Sequence, residues 1–354
     1  MRRIAYSLAL VAAALFVWSP AEAIDDNAGT AGYSFLKIGV GARPAGMANA
    51  YVGLADDYSA LYYNPAGIAG ARLSTLWEVG TEPVAHESMP VDSTWAPILT
   101  PAKPEPKFVF PSPATYVAAS YNSWISDFQS GFLALVTPVT EETWLGASIQ
   151  YMNYGDLTET DADGNVLGKF GASSLAFALT GATRLSGNIT LGLTGRVILE
   201  SIADSSSWGL AADVGAMYYL ADNRTQFGVA VTNLGAQMNG LTESHKDKLP
   251  TKFAFGASHK LRGLPLVVAG DVTKAIDDHV RFSLGSELVY FAPFYLRTGY
   301  SSRRGDIETG SSSDGWSGLV GGFGVAFNKL RLDYALGHLS ELGTVHRVGL
   351  TARL

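Results

Sequence analysis

From residue 114 to Leu354 the chain repeats one pattern, in which short segments of alternating apolar and polar residues are separated by turn residues. In NITLGLTGRVILE (188–200), Ile189, Leu191, Leu193, Val197 and Leu199 fall on one face, and Thr190, Thr194, Arg196 and Glu200 on the other. Val280, Phe282, Leu284, Leu288 and Tyr290 likewise oppose Arg281, Ser283 and Glu287, and Val348, Leu350, Ala352 and Leu354 oppose Arg347, Thr351 and Arg353. Period two marks β-strands, whose side chains point alternately to the two faces of a sheet. Strands are read near 114–123, 130–139, 143–154, 170–186, 188–201, 207–220 and 225–235. The series continues near 251–261, 264–273, 280–290, 294–302, 316–327, 330–337 and 345–354, fourteen in all.

Composition decides what each face meets. Charged residues make up 16% of the chain and its mean hydropathy is +0.13, whereas typical soluble proteins carry about 25% charged residues. Beyond residue 23 no apolar run reaches the roughly 20 residues that a membrane-crossing helix needs. A chain too apolar for water, yet without such helices, is left with the closed barrel, which satisfies every backbone group within hydrocarbon. Charge on the lipid face near the midplane costs about 2–4 kcal/mol per Arg or Lys, so the charged face must point inward. The lumen is therefore expected to hold Arg196, Glu200, Asp213, Asp271, Arg281, Glu287, Arg297, Arg331, Asp333, Arg347 and Arg353. Their mixed signs suit structural pairing between strands and against the barrel's contents better than a selectivity ladder. The expected fold is all-β, a 14-stranded antiparallel transmembrane β-barrel with an N-terminal hatch. An even strand number matches single-chain outer-membrane barrels.

Connections support the same topology. Those after even-numbered strands are short, centred on TEE, SGN, ADN, RG, AP and NK, while the others include 155–170, 236–250 and 301–316. Short periplasmic turns alternating with long outer loops is the barrel asymmetry. Tyr151, Tyr154, Tyr218, Tyr219, Tyr290, Phe291, Phe294, Tyr295 and Tyr300 cluster near strand ends, where aromatic girdles meet headgroups.

Ahead of the barrel, residues 1–23 combine Arg2 and Arg3, an apolar run to Trp18, and Ala21-Glu22-Ala23, the signature of a cleaved secretory signal peptide. Residues 24–70 are too irregular for strands, and a lumen of fourteen strands leaks unless filled, so this segment is read as a hatch. Asp57 is placed to cap the turn Tyr58–Tyr63, which Pro65 ends. Residues 71–113 form a Pro-rich connection, with PAKPEP favouring extended chain.

The hatch stretch GARPAGMANAYVGLADDYSALYYNPAGIAG (41–70) resembles the PorV/PorQ family of FadL-like outer-membrane proteins. Its motif residues include Gly46, Asp56, Asp57, Asn64, Pro65, Ala66 and Gly67, and YMNYGD (151–156), RLDYALG (331–337) and HRVGL (346–350) extend the likeness. The resemblance implies a cell outer-membrane barrel with partners drawn from outer-membrane lipid and lipopolysaccharide. It implies service to a type IX-like secretion system, through secretion proteins or cargo. The alternative that it implies is passive uptake of hydrophobic small molecules such as fatty acids or hydrocarbons. The connection at 71–113 is longer than the family pattern.

Chemistry of other kinds finds little footing. Without cysteine there are no disulfides or Cys-ligated metals, and a net charge of −7 argues against nucleic acid. His338, Ser340, Glu341 and His346 share one expected outer loop without a G-x-S-x-G elbow. In DADGN (161–165) the glycine comes one position too early for a calcium loop and suits a hairpin turn. No enzymatic activity, metal or cofactor is expected.

Overall fold

Alternating strands pair with their neighbours when turns are short, and an apolar outer face leaves such a sheet no tolerable edge in hydrocarbon. The computed structural model shows the resulting closure. It describes residue 27 and residues 29–70, 114–124, 128–221, 224–242, 245–262, 264–291, 293–302, 318–338 and 343–354. The signal-peptide and Pro-rich readings lie outside these residues, as do Ser340 and Glu341.

The fourteen strands are β1 (Tyr116–Ser123), β2 (Gln129–Pro138), β3 (Thr143–Thr160), β4 (Val166–Ser186), β5 (Ile189–Ile202), β6 (Ser205–Tyr219) and β7 (Thr225–Asn239), then β8 (Lys252–Lys260), β9 (Leu266–Ala275), β10 (Val280–Phe291), β11 (Phe294–Ser301), β12 (Leu319–Phe327), β13 (Leu330–His338) and β14 (Thr344–Arg353). Each pairs antiparallel with the next, and β14 closes on β1 with Tyr116 opposite Arg353. Among the described residues no helix is long and apolar enough to cross a membrane.

The faces separate as charge requires. Leu133, Leu179, Leu193 and Phe253 are each more than half exposed on the outer wall, whereas Glu287 is 0% exposed and Arg196 6%. Two expectations change. The stretch 155–170 is mostly strand: β3 and β4 run 18 and 21 residues, with only 161–165 between them. About 9–11 residues cross the bilayer, so this hairpin continues beyond it. Tyr154, Tyr219 and Tyr295 do not belong to an outer girdle. Tyr295 is buried, Tyr154 bonds Ser174, and Tyr219 bonds the Met217 sulfur. Each sits on the inward-facing parity of its strand. Tyr151, Tyr218 and Phe294 do face outward.

Candidate functional site: the hatch and its seat

Residues 33–70 lie inside the barrel as a chain of short turns: Ser34–Lys37, Ala42–Ala45, Ala60–Tyr63 and Pro65–Ala69. The turn Ala60–Tyr63 has Ser59 as its N-cap and no side-chain cap, so Asp57 does not cap it as expected but forms an Asx turn just ahead of it. Its carboxylate accepts from the Ser59 amide at 2.8 Å and from the Ser59 hydroxyl, and the Ala60 amide bonds the Asp57 carbonyl. Asn64 then leaves the helical conformation at φ −159°, as a residue before proline tends to. Its side chain accepts from the Ala66 amide and donates to the carbonyls of Val52 at 3.1 Å and Ala216 at 3.2 Å. Asn64 thus ties two hatch turns to β6. Gly67 lies so close to Ala55 that any side chain would meet that residue's carbonyl. Pro65 and Ala66 press onto Gly192 and Gly215 of the wall.

Wall glycines make this seat possible. Gly192 faces Gly215 across β5–β6, Gly228 faces Gly256 across β7–β8, and Gly285 faces Gly299 across β10–β11. A Cβ on Gly285 would stand 2.6 Å from Met47 Cβ, and one on Gly299 2.6 Å from the Ala48 amide. Hatch backbone therefore touches wall backbone directly, which only glycine permits. These positions carry no hydropathy and escape a pattern search. Their signal was the recurrence of glycine on the inward parity of several strands.

Charges complete the seat. Arg43, 1% exposed, is bidentate to Glu287 of β10 with two contacts of 2.8 Å. It also contacts Asp56, Asp57 at 3.2 Å and the Tyr51 hydroxyl. Glu287 accepts from Arg297 at 2.6 Å and lies 3.4 Å from Arg331. Asp333 lies 2.8 Å from Arg297 and 3.0 Å from Arg331. Gly46 packs on Arg297 and Gly322 beside them. In the hatch, burial pushes the Asp56 carboxyl above its usual range despite Arg43. Burial acts the same way on Asp57, but Arg43 and the Ser59 hydroxyl outweigh it and hold that carboxyl low.

The remaining lumen charges are dispersed. Asp271 of β9 accepts from the amides of Tyr51 at 2.5 Å, Val52 at 2.7 Å and Gly53 at 3.5 Å. Arg196 pairs with Asp213 at 2.7 Å and donates to Asn233, which sits at φ +61° in a bulge of β7. Arg347 donates to the Gly39 carbonyl at 3.0 Å. Glu200 accepts from Ser174. Arg281 pairs with Asp278 in the turn before its strand, and Arg353 ends β14, half-buried. Among the described residues no ladder of one sign lines a path. His338 and His346 lie in β13 and β14, not in a loop, and the His346 ring bonds Tyr334 on the outer side. Asp161 accepts from the amides of Asp163 and Asn165, closing the 161–165 turn on itself. Among the described residues no cluster of metal-ligating side chains occurs.

No family model matches the chain, and no curated protein does. Solved structures do. The CymD monoaromatic hydrocarbon channel aligns over 89% of this chain and 98% of its own, at 13% identity and TM-score 0.56. A TodX monoaromatic hydrocarbon channel mutant gives 89% and 98%, 12% identity and TM-score 0.56. The Pseudomonas putida toluene transporter TodX gives 89% and 96%, 12% identity and TM-score 0.50. At such identity the likeness establishes the fold, the FadL-like 14-stranded barrel.

Proposed function

We propose that the chain is an outer-membrane channel for hydrophobic small molecules, without enzymatic activity. The observation that carries this reading is the character of the filled lumen. Tyr51, Tyr58, Tyr62, Tyr63, Leu61 and Ile68 of the hatch form one buried cluster with Phe132, Val136 and Trp144 of the wall. A polar solute would have to leave water for this aromatic interior, at a cost of several kcal/mol per unsatisfied group. An apolar one gains from the same transfer, at roughly 25 cal/mol per Å² buried. The outer wall offers mostly apolar contact, through residues such as Leu133, Leu179, Leu193 and Phe253, to hydrocarbon and to the acyl chains of lipopolysaccharide. Structural neighbours of TM-score 0.50 or more bear the names of monoaromatic hydrocarbon channels and a toluene transporter, which supports uptake ahead of the secretion service that the hatch motif suggested. Lipopolysaccharide, unlike phospholipid, resists hydrocarbon entry, so the test is uptake of labelled toluene or long-chain fatty acid into lipopolysaccharide-containing vesicles. Faster uptake than in protein-free vesicles is expected, and equal rates would overturn the reading.

A further inference from the structure

We infer that Lys252 of β8 and Thr232 of β7 form a polar subsite inside the barrel for an apolar molecule that carries one neutral oxygen acceptor, such as an aryl ketone. The inference rests on the channel reading above and deepens it by naming a solute class for the lumen.

The two residues stand directly opposite each other across β7–β8, where facing side chains hold their Cβ atoms about 4.5–5.5 Å apart. Both lie on the inward parity, in step with the buried Ala230 and Ala254 and out of step with the exposed Val229 and Phe253. An ammonium has three N–H donors, yet among the described residues no oxygen accepts from Lys252. Its nitrogen lies 5.0 Å from the centre of the Tyr62 ring, and the Tyr62 hydroxyl holds that ring in place by donating to the Leu36 carbonyl at 2.8 Å. A ring face attracts a cation but offers it no lone pair. The Thr232 hydroxyl is likewise unused: the residue is 2% exposed, and its oxygen has no partner among the described residues. Lys252 is only partly buried although it points inward, so accessible lumen adjoins it.

Neighbouring carboxylates do not supply the missing acceptor. Asp213 and Asp271 act on Lys252 electrostatically. Asp213, however, is taken up by Arg196 and the Asn233 amide, each at 2.7 Å, and Asp271 by the hatch amides of Tyr51 and Val52. Together with Arg196 and Lys252 these two anions balance, two charges of each sign. A solute carboxylate would add a fifth, uncompensated charge to a buried site, which is costly. A carbonyl adds none, and its two lone pairs match one ammonium and one hydroxyl donor. A plain hydrocarbon would leave both donors unmet. Ala275 faces Lys252 from β9, and Ala254 follows it on the same face of β8, so the rest of the solute meets small apolar side chains and the Tyr62 ring.

Acetophenone and ethylbenzene, one carbon skeleton with and without the oxygen, test the subsite by calorimetric titration of the protein in detergent micelles. Lys252→Met should weaken acetophenone binding roughly tenfold to a hundredfold and leave ethylbenzene binding unchanged. Acetophenone affinity within twofold of the parent, or an equal loss for both compounds, overturns the subsite. The parent protein gives a second reading that no substitution can confound. The carbonyl stretch of bound acetophenone, isolated by isotope editing in infrared spectra, should lie below its frequency in protein-free micelles. An unshifted band overturns the subsite, and benzoate bound more tightly than acetophenone overturns the neutral acceptor. Neither reading requires transport, so failure here leaves the toluene uptake test standing, and failed uptake with acetophenone bound as expected overturns the channel reading alone.

Discussion

Replacing Asp271 by alanine removes the acceptor that holds three consecutive hatch amides. Two of those bonds, at 2.5 and 2.7 Å, are well formed, and the third at 3.5 Å is too long to weigh. Tyr51 and Val52 are 0% and 1% exposed, so water cannot take over as acceptor. Each orphaned buried amide costs about 1–3 kcal/mol, which sums to roughly 2–6 kcal/mol. That loss falls on hatch docking and not on the strand ladders, because Asp271 keeps its backbone pairs with Gly256 and Ser283. Local opening at Tyr51–Gly53 should then speed amide exchange by roughly 30-fold to 10⁴-fold, at 1.4 kcal/mol per decade. Hydrogen exchange read by mass spectrometry on the peptide spanning these residues, in detergent micelles, measures it directly. Asp271→Asn keeps one acceptor oxygen and should fall between. Exchange in the alanine variant within twofold of the parent would refute the claim that this carboxylate seats the hatch.

Gly285→Leu drives a side chain into Met47 and should leave a folded barrel whose hatch is cleaved by protease, seen as a discrete loss of the N-terminal fragment. Arg196→Met leaves Asp213, 1% exposed, without its cation and should cost about 3–5 kcal/mol in urea unfolding. Adding Asp213→Leu should recover part of that loss. Alanine at His338 and His346 should leave toluene uptake unchanged, since the His346 ring bonds Tyr334 on the outer side.

The barrel was legible because its physics is local. A strand in hydrocarbon must alternate, so Ile189–Leu199 and Val348–Leu354 announce both their conformation and their faces. Legibility ended where lipid ends. Beyond Tyr154 the β3–β4 hairpin has no membrane face to impose alternation, and its strands read as a loop until their pairing, Leu157 opposite Phe170, is seen. The partners of the inward charges were not readable. Glu287 meets Arg43 across 244 positions of sequence, a meeting that depends on barrel closure and hatch docking together. Tyr295 looked like a girdle residue because an aromatic ring at a strand end suits either side. Its parity, shared with Arg297, was the available clue. Wall glycines were overlooked because a residue with no side chain has no vote in a hydropathy pattern, although it decides where two backbones can touch.

Everything rests on an apolar outer wall with the charged side chains turned inward, and scanning cysteine along β5 tests that arrangement most directly. Single cysteines at 189–199, labelled with a small fluorophore in liposomes, are read against a quencher attached to the lipid chains. Strong quenching at Leu191, Leu193, Val197 and Leu199, with weak quenching at Thr190, Thr194 and Arg196, is the predicted result. Uniform quenching, or the opposite alternation, would contradict the account.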